Sequence, residues 1–310
     1  DASLYNVEFS QPQRVEEFRN QQAASLKDVL ALLNDRWCAD IKKHFEVELS
    51  QVTKGWFKLD ETNRDLYNMS KLKNLFALAN FKMEDALRTL VEASVQQYRE
   101  LVLSRDIDTP LFIVDLQINQ ENGTVDLVHD PSVFLDAFKD TFAEGLSAVR
   151  GIVQVERRVM NRLFWSESPV LASVEGSETL PTTAVDLVAE YISDCCAPVI
   201  EYSKQYAKYS EFVKLDMEQL GKQLIEDYTQ DDEHASLDYL GLLGKIRSLV
   251  NQHRDAAKGL ETEIPQSKAI NVFMVNCKKV QQQLVDKHNA IADYMLDMFA
   301  SRVGDAAASF

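Results

Sequence analysis

Hydrophobic positions recur at steps of three and four residues over most of the chain, the period of helices that bury one face. From Pro12 to about Glu48 the stripe is Val15, Phe18, Leu26, Val29, Leu30, Leu33, Trp37, Ile41 and Phe45, with Pro12 where a helix favours its start. The pattern breaks around Gly55, and Asp60 before Glu61 has the character of a cap for a short helix. The clearest stripe starts at Ser70 or Lys71 and runs to about Ser104 through Leu72, Leu75, Phe76, Ala79, Met83, Leu87, Leu90, Val91, Val95, Tyr98 and Val102. At about 1.5 Å per residue it predicts a rod of roughly 50 Å. A further helix is expected after Asp130-Pro131, where Phe134, Leu135, Phe138, Phe142, Leu146 and Val149 share a face that continues to about Arg158.

Between these helices the period changes. LFIVDLQI follows Pro110 and TVDLV begins at Thr124, two β-favouring runs joined by Asn119-Gln120-Glu121-Asn122-Gly123. Asn-Gly between such runs predicts a β-hairpin over about residues 111–128. A lone hairpin is marginally stable in water, so it is expected to cap the bundle, the alternative being a partner strand added at its open edge. Residues 166–183, rich in Ser, Glu, Pro and Thr, read as a linker-like loop between a first unit at 1–165 and a second at 184–310.

The second half repeats the helical pattern from Ala184 to Thr229, with Pro198 marking a kink or a fresh start. Another helix is expected from Leu237 to Leu260. After Ile264-Pro265, the apolar run Ala269 to Val275 is too brief to assign, and a last helix begins near Cys277 with Val280, Leu284, Ile291, Met295 and Met298 on its stripe. No internal repeat of fixed period is visible. The fold class is therefore mainly α: elongated stacked helical bundles with one inserted β-hairpin.

Composition supports this and narrows the chemistry. The 310 residues include only 10 Gly and 7 Pro, too few for a chain of many strands and tight turns. Lys+Arg number 33 against 49 Asp+Glu, a formal charge of −16, which argues against a nucleic-acid partner because phosphates are held by clustered cations. No apolar run reaches the roughly 18 residues of a membrane span, and no secretory signal pattern opens the chain, so no membrane partner is expected. Cys38, Cys195, Cys196 and Cys277 are too few and scattered for a disulfide framework, and read as buried apolar side chains in a reducing compartment.

Candidate chemistry is thin. Gly241-Leu242-Leu243-Gly244-Lys245 is too short between its glycines for a phosphate loop, and Ile246 follows where a Ser or Thr must hold magnesium. It reads as a helix whose glycines allow close packing. The histidines are His44, His129, His234, His253 and His288, none in a zinc or di-iron pattern; Asp231 and His234 lack a second pair. The acids between Glu226 and Glu233 lack the glycine and alternating ligands of a calcium loop and read as a solvated turn. No nucleophile elbow or papain-like cysteine context occurs. Nothing here argues for catalysis or for a cofactor, and an acidic, helical, aromatic-rich body fits a scaffold or a partner-binding stalk.

Lys54-Gly55-Trp56-Phe57-Lys58-Leu59, then Glu61-Thr62, Tyr67 and Ser70-Lys71-Leu72-Lys73, resembles a signature in the stem of axonemal dynein heavy chains. Met83-Glu84-Asp85-Ala86-Leu87-Arg88-Thr89-Leu90-Val91 is similar to the helix that follows in that family, with Glu84 standing where Gln is expected. Tyr98, Pro110-Leu111-Phe112 and Asp130-Pro131-Ser132 come in the same order, and Ile264-Pro265, Phe273 and Val275-Asn276-Cys277 resemble the approach to the linker. The match is weakest from Glu167 to Asp186. The resemblance implies a tail or neck segment lying before the linker and the ATPase ring. Such a segment carries no catalytic, metal or cofactor site of its own and sits in the axoneme of a cilium or flagellum.

The signature looks closest to the single-headed inner-arm group. That implies dynein light chains, actin or centrin, and neighbouring dynein subunits as partners, and the axonemal doublet indirectly. Trp56, Phe57 and Trp165, aromatic positions near expected loops, are the candidate partner anchors, with burial in a core as the competing reading. A free-standing cytosolic scaffold or adaptor is the alternative reading of the whole chain.

Overall fold

The computed structural model describes residues 3–52, 71–103, 110–119, 122–152, 179–229 and 237–308. It is mainly α, with a small sheet. The chain divides into two units, residues 1–112 with 132–194, and residues 113–131 with 195–310. The loop-like stretch at 166–183 lies mostly outside the described residues.

In the first unit, Gln13 bridges to Phe112 and its N–H donates to the Leu111 carbonyl at 2.8 Å. Helix α1 (Val15–Ala31) follows, its start fixed by the Arg14 N–H donating to the Glu17 carboxylate at 2.9 Å. A π-helical stretch at Leu32–Trp37 then leads into α2 (Cys38–Val52). This stretch is absent from the simple three-and-four reading, and it has a physical reason. The buried positions Leu33 and Cys38 are five apart, and a turn closed by an i to i+5 bond, from the Cys38 N–H to the Leu33 carbonyl, brings both to the same face.

Helix α3 (Lys71–Leu103) buries Phe76, Met83, Leu87, Val91, Val95, Tyr98 and Val102, most of the expected stripe. Leu75, also placed on that stripe, is instead exposed, because it lies about 100° around the helix from Phe76. Phe45 of α2 stacks on Phe76 with ring centroids 5.2 Å apart. Helix α4 (Ser132–Arg150) ends at Gly151, short of the expected Arg158, and residues 153–178 lie outside the described residues. Its Phe134 packs 4.7 Å from Phe112, which meets Phe18 edge-on at 5.6 Å.

The N-terminal segment is tied to this core by side-chain-to-backbone bonds. The buried Gln22 amide accepts from the Asn6 N–H at 2.9 Å and donates to the Asn6 carbonyl at 3.0 Å, and the Ser94 hydroxyl accepts from the Leu4 N–H at 3.0 Å. Tyr5 stacks on Phe142 and meets Tyr98 edge-on, in both cases at 5.9 Å. It fits only because Gly145 has no side chain: a Cβ there would stand 2.8 Å from the Tyr5 ring.

Helix α5 (Thr179–Lys204) runs through Pro198 without a fresh start, although the proline offers no N–H to the Asp194 carbonyl. Residues up to Asp194 belong to the first unit and those from Cys195 to the second.

The second unit contains the sheet, whose strand order is β2-β1-β4-β3. Strands β1 (Phe112–Ile118) and β2 (Val125–Leu127) form the expected hairpin, with Leu116 opposite Leu127 and Ile118 opposite Val125. Gly123 makes the turn at φ +69°, a conformation that side-chain-bearing residues resist. The edge of β1 away from β2 is not left open for a foreign strand. It pairs with β4 (Phe273–Asn276), itself in a hairpin with β3 (Ser267–Ile270). The unassigned run Ala269 to Val275 is thus a second hairpin, turned by Asn271 at φ 51°. Asn276 of β4 donates to the Asp115 carboxylate of β1 at 2.6 Å.

After a 3₁₀ turn at Gln205–Tyr209 come α6 (Ser210–Lys214) and α7 (Met217–Asp227), the latter capped by the Asp216 carboxylate, which accepts from the Glu218 N–H at 2.9 Å. Helices α8 (Tyr239–Glu263) and α9 (Lys278–Ala308) carry the core of this unit: Leu224 of α7 packs with Leu242, Ile246, Val250, Ile291, Ala292 and Met295. The Gln281 amide of α9 donates to the Ile264 and Glu261 carbonyls at 2.7 and 3.1 Å, satisfying groups that the end of α8 leaves open.

Candidate interaction surface

Trp56, Phe57 and Trp165 lie outside the described residues, as do Lys54 to Ser70 of the stem-like signature, Asp231 and His234. The described residues hold their own candidates.

The four cysteine side chains are buried. Cys277 is fully enclosed, and the Tyr206 hydroxyl donates to its Sγ at 3.4 Å while standing 3.0 Å from the Tyr202 hydroxyl. Burial raises the Cys277 thiol above its ordinary pKa although both tyrosines pull it down. Cys196 is pushed up to about 11, by burial first and then by the nearby Asp130 and Cys195. Thiols held protonated in this way are poor nucleophiles and poor metal ligands.

His253 of α8 and His288 of α9 meet with their Nδ1 atoms 2.9 Å apart, both half-buried. Phe212 stacks on the His288 ring with centroids 4.0 Å apart. Two nitrogens at this distance need one N–H and one lone pair, so the neutral rings hold opposite tautomers. Burial lowers both pKa values, and burial followed by the charge on His253 takes His288 down to about 4. Among the described residues no group of three or more His, Cys, Asp or Glu could hold a metal ion. The pair is a neutral clasp between two helices. Sequence spacing offered no sign of it, because the two residues stand on separate helices.

Gly241 and Gly244 sit in the first turns of α8. The Asp238 carboxylate accepts from the Gly241 N–H at 3.0 Å, taking the donor that a phosphate would need. Gly241 is closely packed, since a Cβ there would stand 3.0 Å from the Tyr228 ring, whereas Gly244 faces open space.

What the described residues do present is exposed apolar surface. On the outer side of α3, Leu75 is 46% exposed, Leu78 57% and Phe81 61%. The Lys82 ammonium lies 5.8 Å from the centre of the Phe81 ring. Leu78 and Phe81 fall off the helical stripe in the sequence, and that displacement was the available signal. Among the described residues no helix is long and apolar enough to cross a membrane.

No protein-family model matches the chain. It is, however, similar along nearly its whole length to a segment of axonemal dynein heavy chains. Human dynein axonemal heavy chain 1 is 28% identical over 325 residues, 97% of this chain. The mouse protein of the same name is 28% identical over 326 residues, and the rat protein 27% over 324. The chain spans 7% of the length of each of these relatives.

Proposed function

We propose that the chain is a non-catalytic tail or neck segment of an axonemal dynein heavy chain, lying before the linker and the ATPase ring of an ATP-driven microtubule motor. It joins the motor to the axonemal anchor and carries accessory subunits. The observation that supports this most is the similarity to dynein axonemal heavy chain 1, which extends over 97% of the chain. The mainly helical fold suits the role, since close-packed interiors are stiff and transmit strain instead of absorbing it. The stem signature at 54–73 favours the single-headed inner-arm group. On this reading the partners are dynein light chains, actin or centrin, and neighbouring dynein subunits, with the axonemal doublet reached indirectly. The location is the axoneme of a cilium or flagellum.

The test is the size of the parent polypeptide, read with an antibody against residues 54–105 on whole cells and isolated cilia. A band many times larger than 35.3 kDa and enriched in cilia is expected. A band near that mass in the cell body would overturn the reading in favour of a free-standing scaffold. A pull-down from ciliary extract addresses the carrier role separately, and failure to enrich any dynein subunit, actin or centrin would sink it.

A further inference from the structure

The outer side of α3 combines two properties that its packing does not require. Phe76, Met83 and Leu87 mark the buried side. At about 100° per residue, Leu78 lies roughly 160° from Phe76 and Phe81 roughly 140°, so both face away from the core. Lys71, Leu75, Leu78 and Lys82 are separated by four, three and four residues and are all exposed. That is the spacing of a coiled-coil seam, with two leucines at its centre and a lysine at each end.

The charge of this stretch opposes that of the chain. From Lys71 to Met83 there are three lysines, Lys71, Lys73 and Lys82, and no Asp or Glu, in a protein of net charge −16. The first acid on the helix, Glu84, pairs with Arg88 at 3.1 Å.

We propose that this face is a docking seam for an acidic amphipathic helix of another protein. Leu75, Leu78 and Phe81 would pack against the apolar stripe of that helix, and Lys71 and Lys82 would meet carboxylates flanking it. Charge complementarity selects the occupant. A second copy of this chain, using the same seam, would set lysine against lysine, and like charges across a helical pair are unfavourable. The seam spans about three turns, so the association is a weak one that relies on neighbouring contacts in an assembly. The inference goes beyond the proposed function without resting on it, since a free-standing scaffold would present the same face.

The test is fluorescence anisotropy of the full chain with a labelled helical peptide of about three heptads, Leu at a and d and Glu at e and g. Binding that weakens from 50 to 300 mM NaCl is expected, with at least about a tenfold loss in Leu78→Asp and in Lys71→Glu/Lys82→Glu. These side chains are exposed, so circular dichroism should be unchanged in both variants. Absence of binding, equal affinity for the matched peptide with Lys in place of Glu, or no loss in the variants would each overturn the proposal. So would preferential binding to phosphatidylserine vesicles, which would make the face a membrane contact. A dimer in sedimentation that Leu78→Asp dissolves would overturn it in favour of a second copy.

Discussion

Acid should loosen the second unit through the His253–His288 clasp, and the size of the effect follows from its geometry. A first proton can settle on the outer Nε2 of the ring that already donates and leave the 2.9 Å bond in place. A second proton puts N–H on both facing nitrogens, and the bond cannot form. His288 is held down to about 4 in the folded chain, by burial and then by its neighbour, against an ordinary value near 6.5. A depressed folded value means that the unfolded chain takes the proton first. The stabilisation is therefore complete above about pH 6.5 and is lost as pH falls from there toward 4. The full difference corresponds to about 3.4 kcal/mol at 1.36 kcal/mol per unit, a ceiling. Because both rings keep contact with water, about 1–2 kcal/mol is the expected loss between pH 7 and 5.

Urea unfolding of the wild type and of His253→Phe/His288→Phe at pH 7.5, 6.0 and 5.0 separates this from general acid effects. The Phe rings can keep the stack on Phe212 but cannot titrate. The wild-type stability should fall by that amount more than the variant's. Parallel pH dependences, or an NMR titration placing His288 near 6.5, would refute the reasoning.

Three other outcomes are expected. Gly123→Ala should destabilise the β1–β2 hairpin by about 1–2 kcal/mol, since Gly123 holds φ +69° and a Cβ there would stand 2.7 Å from the Lys214 side chain; thermal unfolding measures it. Gln22→Leu should cost about 1–3 kcal/mol in urea unfolding, because it strips the Asn6 N–H and carbonyl of their partners; a change below about 0.5 kcal/mol would show that water replaces the amide freely. The four buried thiols should react slowly with a disulfide reagent in the native chain and fast in denaturant, and rapid native labelling of Cys277 would contradict its enclosure beside Tyr206.

The outward side of α3 shows how far the sequence reaches. Its period placed the helix to within a residue or two, Lys71–Leu103 against an expectation of Ser70 or Lys71 to Ser104, because helix formation depends on contacts three and four residues apart. The Asn-Gly turn was legible for the same reason: its φ +69° is a local demand that glycine meets. Leu75 was legible as apolar but not as exposed, since the face that is covered depends on what packs there. The π-helical stretch at Leu32–Trp37 left only a faint trace, the five-residue step from Leu33 to Cys38.

Other features had no local trace. The β3–β4 hairpin has four-residue strands and an Asn-Val turn within a short, mostly apolar run, and pairing with β1 identifies it as sheet. That pairing joins residues about 160 positions apart, and it accompanies the assignment of 113–131 to the same unit as 195–310. The His253–His288 clasp, the Tyr206–Cys277 bond and the seat of Tyr5 on Gly145 likewise join residues from separate elements. By itself the sequence determined which stretches are helical and where the first hairpin turns, because those choices are settled within a turn or two of chain. Which faces are buried, which strands pair and which titratable groups meet was decided by the tertiary structure, since each depends on partners that the local chain does not contain.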